Sequence, residues 1–240
     1  MRPPTITLLL AGLAILPAAA AEPEPAVTLT PLPAVTRGVA AFPQVSGPQA
    51  ERINQSLRRA DARVRAAAAE CKPPGETRST WRRTIAVTMR GPRLLSLLAE
   101  DSWYCGAYPD EAPIALVFDL ETGAPVNWAR FLPPSFVGKT TIDSAGDGTR
   151  IGMVQSPTLA ELYRKGLTEE QCGDVVEDDQ AAFQLWPDAK AGGLVVRIMT
   201  LPHAIAVCAE RVTIPLDTLR RLNAPRALLD ALATAHRAGG

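Results

Sequence analysis

Carboxylates are the most frequent side chains in this chain that could carry out acid–base chemistry. Two pairs of neighbouring acids stand out, Glu100 with Asp101 and Asp110 with Glu111. Two carboxyl groups at a suitable separation are enough for glycoside hydrolysis. Neighbouring residues of a β-strand point to opposite faces of the sheet, however. We therefore expect neither pair to act as one catalytic unit.

Histidine is scarce, and no catalytic motif accompanies it. The chain has two histidines, His203 after a proline and His236 near the C-terminal end. We expect His203 to be a packing residue of a strand or loop and His236 to lie in a frayed tail. No nucleophile elbow, H-E-x-x-H motif, phosphate loop or dinucleotide fingerprint occurs. The sequence predicts no enzymatic activity, no catalytic residue and no cofactor, with an envelope hydrolase that uses paired carboxylates as the alternative.

Aromatic and acidic residues bracket a short segment in the middle of the chain, Cys105-Gly106-Ala107-Tyr108-Pro109. Gly106 and Pro109 predict a sharp loop at the exit of a strand. Aromatic rings beside carboxylates on such a loop can contact a basic partner or a sugar. The other interpretation places Trp103 and Tyr104 in the core and reduces the glycine and proline to turn formation. The candidate ligand-binding residues are Trp103, Tyr104, Tyr108, Asp110 and Glu111.

Four cysteines predict two disulfide bonds in an exported chain, although four thiols allow three pairings. We favour Cys71 with Cys105 and Cys172 with Cys208, because each pair joins neighbouring elements. In the chain-entropy model, closing a loop of about 35 residues raises the free energy of the unfolded chain by about 4 kcal/mol. There is no C-x-x-C pair and no zinc-like spacing. Residues 143–148 lack the spacing of a calcium loop, so we predict no metal site.

The N-terminal residues 1–21 read as a secretory signal peptide. Arg2 supplies the basic region, Ile6 to Leu16 the apolar region, and Ala19-Ala20-Ala21 the cleavage site. The apolar region is shorter than the roughly 20 residues that a spanning helix needs, and no later segment could cross a bilayer. We expect a periplasmic or secreted protein without a membrane span in its mature chain.

The charges of the chain nearly cancel. It has 25 basic and 25 acidic residues; removing Arg2 with the signal peptide leaves 24 against 25, a net charge of −1. Five arginines lie beside the apolar stripe of the first predicted helix: Arg52, Arg58, Arg59, Arg63 and Arg65. Acids interleave with them, and no aromatic residue is near for stacking on bases. We therefore predict a solvated helix face and no nucleic-acid partner.

The periodicity of apolar residues predicts an α+β fold, a twisted and mostly antiparallel sheet with helices packed on it. Residues 22–45 form a proline-rich extended arm that adds an edge strand, and 46–222 form the domain. Ser46 to Gln49 predict an N-cap and capping box for a helix over residues 48–71.

A meander of about four strands covers residues 81–131, residues 139–152 are loop-like, and Ser156-Pro157 caps another helix. Two further strands, at 182–186 and 194–200, precede a short edge strand at 212–215 and the helices at 217–222 and 225–236. Residues 223–240 form a C-terminal helix and tail.

Four motifs resemble, in their order, an extracytoplasmic domain of unknown function. They are Ile53-Asn54, Cys105-Gly106-Ala107-Tyr108-Pro109, Asp119-Leu120-Glu121-Thr122-Gly123, and the stretch from Leu201 to Leu216 that contains Ile214-Pro215. The domain is shared by the anti-sigma factor RsiV and by the non-catalytic part of the peptidoglycan deacetylase PdaC. The resemblance covers residues 42 to 222. Cys105 stands where the family has its first glycine and Tyr108 where it has histidine, so a function of that histidine would be lost or changed here.

The resemblance implies a binding or sensing module of the cell envelope. Its ligand would be lysozyme or another peptidoglycan-associated factor, and PdaC's deacetylase chemistry lies in a separate domain. The sequence therefore favours an exported binding module. A hydrolase or a structural accessory protein without a small-molecule ligand remains the alternative.

Overall fold

The computed structural model describes residues 27–71, 75, 80–105, 109–136, 138–144, 149–177 and 180–237. The predicted signal peptide and Tyr108 lie outside these ranges. The described residues form antiparallel sheets with several α-helices, which confirms the predicted α+β class. None of the described helices is long and apolar enough to cross a membrane.

The strands form two main sheets rather than one. The first sheet has the order β3-β4-β5-β6, with β3 at Arg82–Arg90, β4 at Leu94–Tyr104, β5 at Pro109–Asp119 and β6 at Ala124–Pro125. The second has the order β11-β10-β9-β8-β7, with β7 at Lys139–Ser144, β8 at Arg150–Gln155, β9 at Ala182–Asp188, β10 at Gly193–Ile198 and β11 at Val212–Pro215.

The N-terminal arm forms a small sheet of its own and then runs along the first sheet. Its strands are β1 at Thr28–Thr30 and β2 at Gln44–Ser46. Between them, Ala40 N donates to Arg83 O at 3.2 Å and Arg83 N donates to Gly38 O at 3.0 Å. The predicted edge strand is thus reduced to a single bridge beside β3, between Val39 and Arg83.

Within the described ranges, four α-helices cover the sheets: α1 at Ala50–Glu70, α2 at Pro157–Gly166, α3 at Leu216–Arg221 and α4 at Arg226–Arg237. The predicted stripe of α1 is buried, including Ile53, Leu57, Ala60 and Val64. Ser156 caps α2 as predicted, because its side chain accepts a hydrogen bond from Leu159 N. His236 belongs to α4 rather than to a frayed tail, and its Nδ1 lies 2.6 Å from Ala189 O.

The centre of the first sheet, from Leu94 to Ala99 of β4, is buried on both faces, which explains why this stretch is apolar except for Ser96. Leu95, Leu97 and Ala99 pack in one core cluster with residues of α1 and the arm. Leu94 and Leu98 pack in a second cluster with the second sheet and α2 to α4. A strand covered on both faces reads as an unbroken hydrophobic run instead of an alternating one.

The entry into α1 differs from the prediction. Ser46 ends β2, and Gln49 is the N-cap residue, in the left-handed region at φ 58° and without a side-chain cap hydrogen bond. Asn54 donates to Val45 O and accepts from Val45 N, both at 2.8 Å. These paired hydrogen bonds hold the arm against the helix, so the predicted capping box is wrong.

Two local predictions on the strands are also wrong. The loop predicted over residues 139–152 contains strand β7 and the start of β8, which pair with each other, and β8 also pairs with β9. The last strand of the predicted meander is reduced to the two residues of β6, and Trp128–Arg130 form a 3₁₀ turn instead of continuing it to residue 131. The predicted loop at the exit of a strand falls between Tyr104, the last residue of β4, and Pro109, the first residue of β5.

Candidate functional site

The described candidate residues line one open cleft of about 600 Å³, which we call the aromatic cleft. One wall consists of the ends of β3, β4 and β5. The other consists of Arg197 from β10 and the 3₁₀ segment His203–Cys208. The larger side chains that line it are Arg82, Trp103, Tyr104, Asp110, Glu111, Arg197, His203 and Val207. Tyr108 lies outside the described residues.

The first wall is built by the antiparallel register of β4 and β5. Trp103 lies opposite Asp110, and Tyr104 lies opposite Pro109. Thr80 fixes the end of β4, since its hydroxyl donates to Tyr104 O at 2.6 Å and accepts from Tyr104 N at 2.9 Å. Tyr104 is 40% exposed and Trp103 is half-buried, so neither ring belongs to the closed core.

A buried polar cluster lies beside this wall. The rings of Trp81 and Trp103 stack with their centroids 4.6 Å apart. Trp81 Nε1 donates to Asp101 Oδ1 at 2.7 Å, and Arg83 binds the two oxygens of Asp101 through Nε and Nη2 at 2.7 to 3.0 Å. Because Arg83 and Asp101 are both buried and mutually hydrogen-bonded, they fix the position of Trp81 and through it that of Trp103.

The second wall is held by hydrogen bonds to its backbone. Arg197 Nε donates to Ala209 O at 3.0 Å. Tyr163 OH donates to Glu210 O at 2.8 Å and lies 3.3 Å from Cys208 O. Burial raises the pKa of Tyr163 to about 12, so its hydroxyl remains a donor at neutral pH. Val207, on this wall, is 84% exposed.

Each disulfide bond ends one wall of the cleft, and both pairings confirm the sequence prediction. Cys105 directly follows β4 and is bonded to Cys71, which directly follows α1. Cys208 is the last residue of the second wall's 3₁₀ segment and is bonded to Cys172. The two covalent links therefore restrain the two sides of the cleft independently.

His203 faces the cleft, contrary to the expectation that it packs within a strand or loop. Its Nδ1 lies 3.7 Å from Asp110 Oδ1, and the two side chains are 60% and 42% exposed. That separation is longer than a hydrogen bond. A protonated imidazole would nevertheless attract the carboxylate at this distance.

Arg197 is the most buried cation of the cleft. Burial lowers the pKa of its guanidinium, whereas the nearby Tyr163 and Glu111 act in the opposite direction. Its Nε hydrogen bond to Ala209 fixes the plane of the group. The cleft thus combines aromatic and apolar surface with two acids, one imidazole and two guanidinium groups, those of the exposed Arg82 and of the oriented Arg197.

The other acidic pair is divided between two environments. Glu100 binds Arg211 across the two sheets, with Oε1 2.5 Å from Nη2, whereas Asp101 is buried against Arg83. The expected placement of neighbouring acids on opposite faces is confirmed for this pair. It is wrong for Asp110 and Glu111, which both line the aromatic cleft at the start of β5. Neither residue lines the aromatic cleft.

The motif Asp119 to Gly123 forms a structural turn. Asp119 is buried and accepts hydrogen bonds from Glu121 N at 3.0 Å and from Arg130 Nη1 at 3.1 Å. Arg93 pairs with both Asp119 and Glu121. These ion pairs lower the pKa of Glu121. The motif identifies a stable turn between β5 and β6 and lies outside the aromatic cleft.

Among the described residues, no group of three or more histidine, cysteine, aspartate or glutamate side chains could hold a metal ion. No family model matches the chain, and no curated protein matches it. The resemblance to the RsiV and PdaC domain therefore remains a prediction from the four motifs.

The sequence provides no reason to place Arg197, His203 or Val207 in the site, because Arg197 comes from the second sheet and the other two from the 3₁₀ segment that follows it, far along the chain from Glu111. In a single sequence, neither the proline before His203 nor the presence of a valine at position 207 indicates a binding site. Trp103, Tyr104, Asp110 and Glu111 were found because they are neighbours in the chain.

Proposed function

We propose that the protein is an exported binding module of the cell envelope and that the aromatic cleft holds its ligand. The observation that carries the proposal is the attachment of both cleft walls to disulfide bonds. A site restrained before binding loses less conformational entropy when the ligand arrives. We take the position of the two disulfide bonds at the ends of the cleft walls to favour a role in binding over a role in folding alone.

The ligand we propose is a peptidoglycan fragment. A volume of about 600 Å³ lies within the range of sites for small ligands. The exposed Tyr104 and Val207 offer apolar surface, and Asp110 and Glu111 can accept hydrogen bonds from sugar hydroxyl groups. A lysozyme-like protein is the second ligand that the resemblance implies, since its basic surface would complement the two acids.

Binding to insoluble sacculi, soluble peptidoglycan fragments and lysozyme tests the proposal. We expect the double variant Asp110→Asn/Glu111→Gln to bind at least about tenfold more weakly, because hydrogen bonds to charged groups contribute about 1.5–3 kcal/mol. The control is Asp230→Asn, which removes an exposed carboxylate from α4 outside the cleft. If the wild type binds none of the three, these ligands are wrong. Equal binding by the double variant would place the site elsewhere.

The proximity of His203 to Asp110 favours one alternative, an envelope hydrolase. It predicts turnover of a glycan, ester or peptide substrate that disappears in His203→Ala, Asp110→Ala or Glu111→Ala. A substrate screen without turnover by the wild type would count against this alternative and leave the binding proposal unaffected.

A further inference from the structure

A second cleft, of about 380 Å³, lies between α1 and the two sheets and carries four arginines. Arg52, Arg59 and Arg63 come from α1, and Arg150 comes from β8 on the other side. We call it the arginine cleft. It shares no lining residue with the aromatic cleft.

The three helical arginines form one row. Their spacings of seven and four residues correspond to about 10 Å and 6 Å along the helix axis, and both spacings return to the same face. Gln55 and Ser56 lie between them on that face and also line the cleft. The row therefore presents cations together with neutral hydrogen-bonding groups.

Four other charged residues of α1 are engaged away from this cleft. Arg58 pairs with Glu51 at 2.8 Å, and Arg65 Nε donates to Val35 O. Asp61 accepts from Phe42 N on the arm side of the helix. The acids that seemed to interleave with the arginines in the sequence thus do not face this cleft. The predicted solvated face is present, since Arg52 and Arg59 are exposed and Arg63 is half-buried, but the arginines on it are grouped on one side.

The described residues that line the cleft include no carboxylate. Arg52 is oriented by a hydrogen bond from its Nη1 to Thr122 O at 3.1 Å. The floor is apolar and includes Phe118 and Pro125. Like charges gathered over a surface of low dielectric repel one another, and an anion relieves that repulsion. This cluster is local, since the chain as a whole has equal numbers of basic and acidic residues.

We propose that the arginine cleft binds a small ligand that carries two or more phosphate or carboxylate groups. Guanidinium groups bind both kinds of oxyanion through two parallel hydrogen bonds. Arginines that are spaced along a helix and faced by Arg150 suit several anionic groups better than one. The cleft volume falls at the lower end of the range for small-ligand sites.

Isothermal titration of the protein with inorganic tripolyphosphate and, separately, with citrate tests this site. The measurement is made at neutral pH and about 0.15 M salt, where the Debye length of about 8 Å suppresses long-range attraction. We expect saturable binding with one site. The tighter of the two probes identifies the ligand class as phosphate-bearing or carboxylate-bearing.

Single substitutions distinguish binding in the arginine cleft from a general effect of positive charge on α1. We expect Arg150→Gln and Arg59→Gln each to weaken binding about tenfold, the loss of one charge-assisted hydrogen-bonded contact. Arg58→Gln, the same charge change on α1 outside the cleft, should bind like the wild type. Absence of saturable binding to both probes would overturn the proposal, as would an equal effect of Arg58→Gln and Arg150→Gln. The aromatic cleft takes no part in this test. A negative result here would therefore leave the envelope-binding proposal intact.

Discussion

Asp61 should make the stability of the protein depend on pH in the acidic range. Its side chain is 14% exposed and accepts hydrogen bonds from Phe42 N at 3.2 and 3.3 Å. Arg83 Nη1 lies 3.7 Å away, but Arg83 is bound mainly to Asp101. Burial raises the pKa of Asp61 from 3.8 to about 6, because desolvation outweighs the hydrogen bond and the attraction of Arg83.

The direction of the effect follows from proton binding. Between pH 3.8 and about 6 the folded protein keeps a proton on Asp61 that the unfolded chain releases, so rising pH favours unfolding. At about 1.4 kcal/mol per pH unit, the contribution of Asp61 falls by about 3 kcal/mol across this interval. It is fully present below pH 3.8 and lost above about pH 6.

The variant Asp61→Asn tests this prediction, because an amide does not titrate and can still accept from Phe42 N. Urea unfolding followed by tryptophan fluorescence, repeated from about pH 4 to 7, gives the free energy of unfolding of both proteins. We expect the wild-type value minus the variant value to fall by about 3 kcal/mol over this range.

The control for this series is Ala62→Gly, at an exposed position in the middle of α1. It should lower the free energy of unfolding by about 1 kcal/mol at every pH, since it changes helix propensity alone. A difference between wild type and Asp61→Asn that stays constant or rises with pH would refute the reasoning. It would mean that the attraction of Arg83 outweighs desolvation.

Two further predictions concern the frame that holds the clefts. Gly123→Ala should lower the free energy of unfolding by about 2 kcal/mol or more in urea titrations. Gly123 has φ 66°, and a Cβ there would lie 2.8 Å from Gln49 Cβ. An unchanged urea midpoint would contradict the close packing of this turn on α1. The double variant Cys172→Ser/Cys208→Ser should be less stable by about 4 kcal/mol, since the bond closes a loop with a sequence separation of 36, and non-reducing peptide mapping should still detect Cys71 linked to Cys105.

Local patterns predicted the elements whose stability is decided locally. The buried stripe of α1, the Ser156 cap and the first three strands of the meander all appear as expected. The stripe and the cap depend on residues within a few turns of one another. The disulfide pairing was also predictable, although each bond spans 34 or 36 residues, because each cysteine was paired with its next neighbour in the sequence.

The failures arose where a distant partner decides the local structure. Asn54 satisfies both backbone groups of Val45, and this interaction replaces the capping box that Ser46 to Gln49 suggested. The pairing of β8 with β9 converts a polar stretch into a hairpin. In the same way, the row of arginines on α1 forms a cleft only together with Arg150, and the sequence does not show that β8 lies opposite the helix.

The strand β5 connects the two proposed sites and separates their functions. Asp110 and Glu111 at its start line the aromatic cleft, whereas Leu116 and Phe118 further along line the arginine cleft. Five residues of extended strand place Glu111 and Leu116 about 17 Å apart. A small ligand in one cleft therefore cannot reach the other, and no lining residue is common to both. Substitutions in one cleft should leave binding in the other unchanged, so a variant that lost both activities would report damage to the first sheet rather than loss of a contact.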